Sequence, residues 1–493
     1  MNIIPLFIAL PLGAAFVLVL LGKAKEIVSD ILTNAVCLIV ALLTTFLFVV
    51  LKNNGILVYT MGKWFPPKGI NLVADGLSLL MLAIINWIAL FATLYSVSYM
   101  RRFTAKNRFY SLFCLMLAGM NGVVLTGDFF NLFVFLEIAS IASYALVAFG
   151  VEAEELEAAF KYMVMSSVAS ILILFSVGLL YGLTGSLNMA DIGMIIQGQK
   201  NILLSFSLVL FLAGFGLKAA IMPFHAWLPD AHPSAPAPIS AMLSGVVIKA
   251  LGVYAIMRVF FNVYGVSLQL SWVFMIMGII SMVGGGILAL RQKDFKRLLA
   301  YSSISQIGYI MIGLGCGNYF GLLGAIFHLF NHATFKALLF LNSGAVEYST
   351  GTRNLEEMGG LSKVMPITGT TSTIGSLSIS GIPPFNGFWS KLFIIIGLVQ
   401  AERYVLAILT VLVSVLTLAY YLKVQRYAFF GILKEKWIGI KEAPLSMCIS
   451  MIILAIICIG SGIFFYPLMK TFLEPAVAVL QEGTRYSMVV LGG

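Results

Sequence analysis

Charge is what this chain has least of. Only 10% of its 493 residues are Asp, Glu, Lys or Arg, against about 25% in an average soluble domain. That scarcity, with 60% hydrophobic residues and a mean hydropathy of +1.02, excludes an ordinary water-soluble globule. Cysteines are few and scattered. Cys37, Cys114, Cys316, Cys448 and Cys458 form no CxxC pair, so they read as small packing residues rather than cluster ligands or a disulfide framework. No nucleotide or flavin motif, no low-complexity stretch and no extramembrane domain is evident. The formal charge of +10 is no nucleic-acid signature, because the basic residues lie between apolar runs.

Apolar runs of about 20 residues, enough to cross a bilayer, recur from end to end. They fall at 3–22, 30–51, 75–99, 108–126, 129–150, 158–183, 203–222, 237–262, 270–290, 297–316, 318–346, 366–400, 404–431 and 443–470. The chain is thus expected to be an all-α polytopic membrane protein with about fourteen transmembrane helices. The first run lacks a basic leader and a small-residue cleavage site, so it reads as a retained helix. Between Asn53 and Asn71, Gly55, Pro66, Pro67 and Gly69 flank β-prone stretches and predict a small external hairpin. Asp128 reads as a helix N-cap, and Gly284-Gly285-Gly286 as a site of close helix packing.

Basic residues set the orientation. One set of loops carries Lys23, Lys25, Arg101, Arg102, Lys106, Arg108, Arg291, Lys293, Lys296, Arg297, Arg353, Lys363, Lys423, Arg426, Lys434, Lys436 and Lys441, seventeen in all. The other carries eight: Lys52, Lys63, Lys68, Lys200, Arg258, Arg403, Lys470 and Arg485. The bias predicts a multi-pass protein of the cell membrane with both termini on the non-cytoplasmic side. The acidic Glu152–Glu157 loop falls on the cytoplasmic side, but acidic residues weigh little in this rule.

Two Pro-Phe elements interrupt apolar segments, each with a lysine close by. One reads Lys218-Ala-Ala-Ile-Met-Pro-Phe-His-Ala-Trp-Leu-Pro, the other Gly-Ile-Pro-Pro-Phe-Asn-Gly-Phe-Trp-Ser-Lys391. Proline removes a backbone donor and disrupts the preceding turn, which is tolerated in a membrane only where protein or water lines the break. The first ends span seven and the second interrupts span twelve, five spans later. Five is odd, so the second copy enters in the opposite direction. Two inverted five-helix repeats with broken helices 7 and 12 are expected, a design that places ion paths near the midplane. The expected division is an N-terminal three-helix segment with the hairpin (1–107), a first repeat (108–262), a second (270–431) and a C-terminal helix and tail (432–493).

Ionisable residues inside spans are costly and mark pathways. Among the twenty acidic residues, Glu137 is the one expected well inside a span, and Lys218 is its natural partner. Lys249 follows in span eight. His328, His332 and Lys336 recur every four residues along one helical face. Two histidines at that spacing can bind metal, but zinc needs further ligands and none accompany them. A polar stripe hydrating a proton path is the favoured reading. Lys391 closes the series. Such groups interact strongly at low dielectric, and desolvation disfavours the charged form of any of them. Asp230 and His232, expected at the cytoplasmic mouth, read equally as loop caps or, with His225, as candidates for proton access. Lys161 reads as an interfacial lysine, with proton access as the alternative.

These residues resemble the antiporter-like, proton-conducting subunits shared by respiratory complex I, membrane-bound hydrogenases and Mrp cation/proton antiporters. The resemblance covers nearly the whole chain. It is carried by Leu217-Lys218-Ala-Ala-Ile-Met-Pro-Phe-His-Ala-Trp-Leu-Pro-Asp-Ala-His-Pro, His328-Leu-Phe-Asn-His-Ala-Thr-Phe-Lys-Ala-Leu and Gly381-Ile-Pro-Pro-Phe. It implies a relay of Glu137, Lys218, Lys249, His328, His332, Lys336 and Lys391, transporting H+ and, in an antiporter, Na+, with no cofactor and no metal. Some relatives carry glutamate in span twelve where this chain has Lys391. The chain is most similar to the Mrp D-type subunit, which implies other membrane subunits as partners. The rival with the same fold is an ion-pumping subunit of a redox-driven hydrogenase or complex I-like enzyme. From other classes come a non-conducting membrane scaffold and a carrier for an organic solute.

Overall fold

The computed structural model describes residues 3–21 and 26–491; Lys23 and Lys25, used above for orientation, lie outside them. The chain opens with α1 (Leu6–Leu20), α2 (Glu26–Asn54) and α3 (Gly76–Tyr99). The expected hairpin separates α2 from α3. Its strands β1 (Leu57–Thr60) and β2 (Asn71–Ala74) pair antiparallel, with Leu57 opposite Ala74 and Thr60 opposite Asn71. Asp75 then starts α3: its side chain accepts from the Ser78 amide while Ser78 accepts from the Asp75 amide, satisfying two otherwise orphaned donors.

The first repeat holds α4 (Lys106–Leu125), α5 (Phe129–Val147), α6 (Ala153–Thr184), the short α7 (Met189–Ile196), α8 (Ile202–Lys218), α9 (Leu228–Ser234) and α10 (Ala237–Tyr264). The second holds α11 (Leu268–Arg291), α12 (Phe295–Cys316), α13 (Tyr319–Thr350), α14 (Pro366–Ser380), α15 (Asn386–Gln400) and α16 (Tyr404–Val424). The chain closes with α17 (Leu445–Ile463), α18 (Phe465–Leu468), α19 (Glu474–Glu482) and α20 (Tyr486–Leu491). Among the described residues, eleven helices are long and apolar enough to cross a membrane. Of the remaining expected spans, two are the shorter apolar helices α1 and α8, and the stretch 366–400 is two fifteen-residue halves.

The inversion is visible in local detail. Asp128 N-caps α5 by accepting from the Asn131 amide, as expected, and bridges to Asn188. Asp294 N-caps α12 and bridges to Asn354, each partner 166 residues on. The 32-residue helix α6 ends at left-handed Gly185, and the 32-residue helix α13 at left-handed Gly351, again 166 residues on. The first bridge sits on the hairpin, where Gly127 donates to the Asn71 carbonyl at 3.0 Å. The second borders the opposite end of α6, sharing a cavity wall with Glu152 and Glu155. Those ends are about 48 Å apart at 1.5 Å per residue.

The breaks also match. At the first, Ala220 takes φ +53° and the Met222–Pro223 bond is cis; at the second, Gly381 takes φ +82° and Pro383–Pro384 is cis. Ile221 donates to the Gly216 carbonyl and Ile382 to Leu377, at 3.0 and 3.1 Å. Protein groups satisfy what the breaks free: Trp227 Nε1 donates to the Leu217 carbonyl at 3.0 Å, and Ser281 Oγ accepts from the Met222 amide at 2.9 Å. Helices α11 and α12 meet at glycines, as the Gly284–Gly286 run predicts: a Cβ on Gly285 would lie 2.6 Å from the Ser305 nitrogen.

Several charges lie elsewhere than expected. Arg258, assigned to a loop, is buried in the irregular second half of α10, where it pairs with Asp75 at 2.7 Å and lies over the Tyr486 ring. Lys106 and Lys296 are buried rather than exposed in loops, paired with Asp30 at 2.8 Å and Glu347 at 2.7 Å. Asp75 is also fully buried, so Glu137 is not alone among interior acids. In each case the partner comes from another helix, offsetting a desolvation penalty that an unpaired charge could not bear.

Candidate functional site

Lys218 is the last residue of α8, at a helix C-terminus, where the helix dipole favours a cation. Glu137 reaches it from α5. The carboxylate lies 3.6 Å from Lys218 Nζ, and the two side chains are 28% and 1% exposed. This is a loose pair, because the ammonium gives its closest hydrogen bonds to serines: Ser140 Oγ at 2.8 Å and Ser166 Oγ at 2.7 Å. Glu137 in turn accepts from Ser170 Oγ. Ser166 and Ser170 lie one turn apart on α6, so one helix face solvates both members of the pair.

Lys249 lies in α10, most of which winds with π-type turns. Such turns are rare and gather at functional sites. Lys249 donates to the Ser244 carbonyl, and Ser244 Oγ meets Ser303 Oγ of α12 at 2.7 Å. One turn from Lys249, Gly252 brings α10 onto Ala219, the residue after Lys218; a Cβ there would sit 2.4 Å from the Ala219 side chain. The first break and the Lys249 helix are therefore in backbone contact.

On α13 the expected stripe is fully buried. His328 bonds Ser390 Oγ through Nδ1 at 2.9 Å and Gln306 Oε1 through Nε2 at 3.1 Å. The His328 and His332 rings are nearly parallel, 6.3 Å apart. Neither nitrogen of His332 has a protein partner among the described residues. Lys336 donates to the Leu299 carbonyl at 2.7 Å and to Tyr421 at 3.2 Å. Lys391 Nζ has no protein hydrogen bond among the described residues and stands 4.7 Å over the Tyr309 ring, a cation–π contact. Among the described residues, Lys249, Lys336 and Lys391 have no acidic ion-pair partner. A buried cation without one is held only at a cost in free energy, so its protonation depends on its neighbours.

The access candidates separate. Lys161 and Asp230 meet at the surface at 3.0 Å, with Glu157 and Arg297 completing an ionic cluster. His225 remains half-buried beside the first break. His232 is not at a mouth: it is fully buried and stacks on Phe340 of α13, with rings 4.7 Å apart. Helix α9 turns it inward, into the field of Lys336 and Lys249.

Sequence reasoning missed the neutral side chains that hydrogen-bond these ionisable groups, Ser140, Ser166, Ser170, Gln306, Ser390 and Tyr421, and one ionic site. Glu347 lies eleven residues beyond Lys336 on the same face of α13, paired with Lys296 beside a cavity of about 640 Å³. Extending the stripe by three turns would have found it.

Residues 126–417 match the model of the NADH:quinone oxidoreductase/Mrp antiporter transmembrane family, and residues 64–110 that of the complex I chain 5 N-terminus. The chain belongs to this proton-antiporter family. It is 35% identical to the D-type Na(+)/H(+) antiporter subunit of Alkalihalophilus pseudofirmus, over 98% of this chain and 100% of that protein. Its fold superposes on a chain of the Mrp complex from Dietzia sp. with a TM-score of 0.93 at 27% identity, each covered completely. A chain of the membrane-bound sulfane sulfur reductase, an archaeal respiratory membrane complex, aligns with a TM-score of 0.92 at 32% identity, covering 99% of this chain and 100% of that one.

Proposed function

We propose that this chain is the proton-translocating, D-type subunit of a multisubunit Mrp-type Na+/H+ antiporter in the cell membrane. The observation that carries the proposal is the row of buried lysines, Lys249, Lys336 and Lys391, without acidic partners among the described residues, continuing from the loose Glu137–Lys218 pair. In this reading the chain crosses the membrane fourteen times with both termini on the non-cytoplasmic side. The division is that of 1–107, 108–262, 270–431 and 432–493.

Lys218 has two ways to be solvated. Drawn onto Glu137 it keeps its proton; drawn away onto Ser140 and Ser166 it loses the carboxylate's field and passes the proton on towards Lys249. Lys336, His332 and His328 relay it to Lys391. Lys161, Asp230 and His225 serve proton access, while His232, buried against Phe340, lies among the interior groups. The test is ion-coupled transport by the reconstituted complex. Glu137→Gln and Lys218→Ala should assemble with their partners yet lose activity; wild-type rates from either assembled variant overturn the assignment.

The second reading is an ion-pumping subunit of a redox-driven complex, favoured by the 32% identity to a chain of the sulfane sulfur reductase complex. The co-purifying subunits decide. Small membrane subunits alone support the antiporter, and catalytic iron–sulfur subunits support the pump.

A further inference from the structure

Away from the buried lysines, two cavities adjoin at the side of the molecule. The inner one, about 440 Å³, lies between α2, α3, α13 and α17, and its walls are almost wholly apolar, including Trp87, Phe91 and Ile453. The outer one, also about 440 Å³, lies at the hairpin end of α2 and carries Lys52, Lys470 and Glu482. Phe48, Leu79 and Phe472 line both, so the two are chambers of one cleft. The stacked rings of Phe48 and Phe472, 4.4 Å apart, form its waist.

Length and charge identify the occupant. From Leu79 to Phe91 the inner chamber follows α3 for about 18 Å, close to the roughly 15 Å of one hydrocarbon leaflet. In the outer chamber Asp75 is taken by Arg258, and Lys470 by Glu474 at 2.8 Å. Lys52 and Glu482 stand there with no ion pair among the described residues. An apolar channel of leaflet length that ends at one cation and one anion fits a tail whose head bears both a phosphate and an ammonium.

We propose that this cleft binds an acyl chain of an aminophospholipid of the phosphatidylethanolamine class, its phosphate towards Lys52 and its ammonium towards Glu482. The tail reaches Phe330 and Thr334 of α13. Thr334 is two residues from both His332 and Lys336, on the opposite side of that helix. The lipid thus braces the helix that carries the titratable stripe.

The test uses the purified complex in vesicles of equal phosphatidylethanolamine and phosphatidylglycerol, with a trace of either lipid bearing a diazirine on its acyl chain. After irradiation, labelled residues are mapped by mass spectrometry. The ethanolamine probe should label Trp87, Phe91 and Ile453 at least about fivefold above Ile408 of α16, which is exposed in this chain, a modest binding free energy, and the glycerol probe should not. Ala83→Trp, which fills the inner chamber, should abolish that excess and leave Ile408 labelling unchanged. Lys52→Glu and Glu482→Lys, both at exposed positions, should each reduce it about threefold. Labelling of the cleft no greater than that of Ile408, or an excess that survives both charge reversals, overturns the site. Equal labelling by the two probes overturns the head-group assignment.

Discussion

Shifting Tyr162, Ser166 and Ser170 of α6 by 166 residues lands on His328, His332 and Lys336 of α13. The same shift turns Glu137 into Ser303 and Ser140 into Gln306. The two repeats therefore share a frame of long helix, bridge and break, but distribute charge in opposite ways. In the first, the acid is on α5, and the long helix offers only hydroxyls to it and to Lys218. In the second, the long helix itself carries the ionisable groups, and the hydroxyl of Ser303 stands where the acid would be. A cation with its own carboxylate can be switched by a small displacement, because Coulomb energy in a low dielectric changes steeply with distance. Cations without one respond to each other and to whatever proton arrives. On the proposed function, the first repeat switches and the second relays.

The comparison breaks most sharply at the pair. Removing either member should lower ion-coupled transport at least about tenfold, the rate equivalent of roughly 1.4 kcal/mol. The double variant Glu137→Gln/Lys218→Ala should be little worse than either single one, since the two act as a unit. Additive losses in reconstituted transport would mean that they do not switch together.

The equivalent positions on α6 and α13 should differ next. Lys336→Ala removes a relay group and should cost about tenfold in transport. Ser170→Ala, at the matching position, removes one hydrogen bond to Glu137 worth about 1 kcal/mol, so a loss of about two- to fivefold is expected. Equal losses would show that the repeats do not divide the labour as argued.

The legible parts of this molecule are those where one residue type has one physical reason. Apolar length marked the helices, proline marked both breaks, and lysine in an apolar run marked the buried cations. Asp128 at its N-cap and the hairpin between Asn53 and Asn71 followed from local chemistry alone. The serines were illegible because a hydroxyl in an apolar helix is ordinary; it gains meaning only from Lys218 or Glu137 across the gap. Arg258 misled for the converse reason. It lies near the end of an apolar run and reads as a loop residue until Asp75, at the start of α3, pairs with it. His232 misled likewise, because proline-rich surroundings suggest a surface turn, whereas α9 folds them against Phe340. Pairing across helices is not written in any single stretch of chain.

Packing around the first break gives a smaller effect. Gly252→Ala places a methyl 2.4 Å from the Ala219 side chain and 2.5 Å from its backbone, so α10 must shift away from the end of α8. Overpacking of this kind typically costs about 1–3 kcal/mol. A lower melting temperature of the complex is expected, with transport reduced further than the melting shift explains if Lys249 receives its proton from Lys218. Unchanged transport in a destabilised variant would separate the contact from the relay.

The smallest predicted difference lies in the two bridges. Asp128 and Asp294 cap equivalent helices, but Asp294 pairs with Arg353 at 3.2 Å, whereas Asp128 faces Asn131 and Thr126 without a basic partner among the described residues. Burial raises the Asp128 carboxyl above its ordinary value, with the backbone hydrogen bonds from Asn131 and Phe130 opposing it. A carboxyl raised by folding binds its proton more tightly in the folded state. Its contribution to stability is therefore complete below the unfolded value and is lost as pH rises through the folded one. The hairpin end of the first repeat should lose a little stability on leaving the acid range. Asp128→Asn keeps a good cap and removes the titration, so the pH slope of the melting temperature just above the ordinary Asp value should flatten. Asp294→Asn instead removes a half-exposed ion pair, so the melting temperature should fall slightly at neutral pH. The same response from both variants would mean that the bridges, like the frame they belong to, are equivalent.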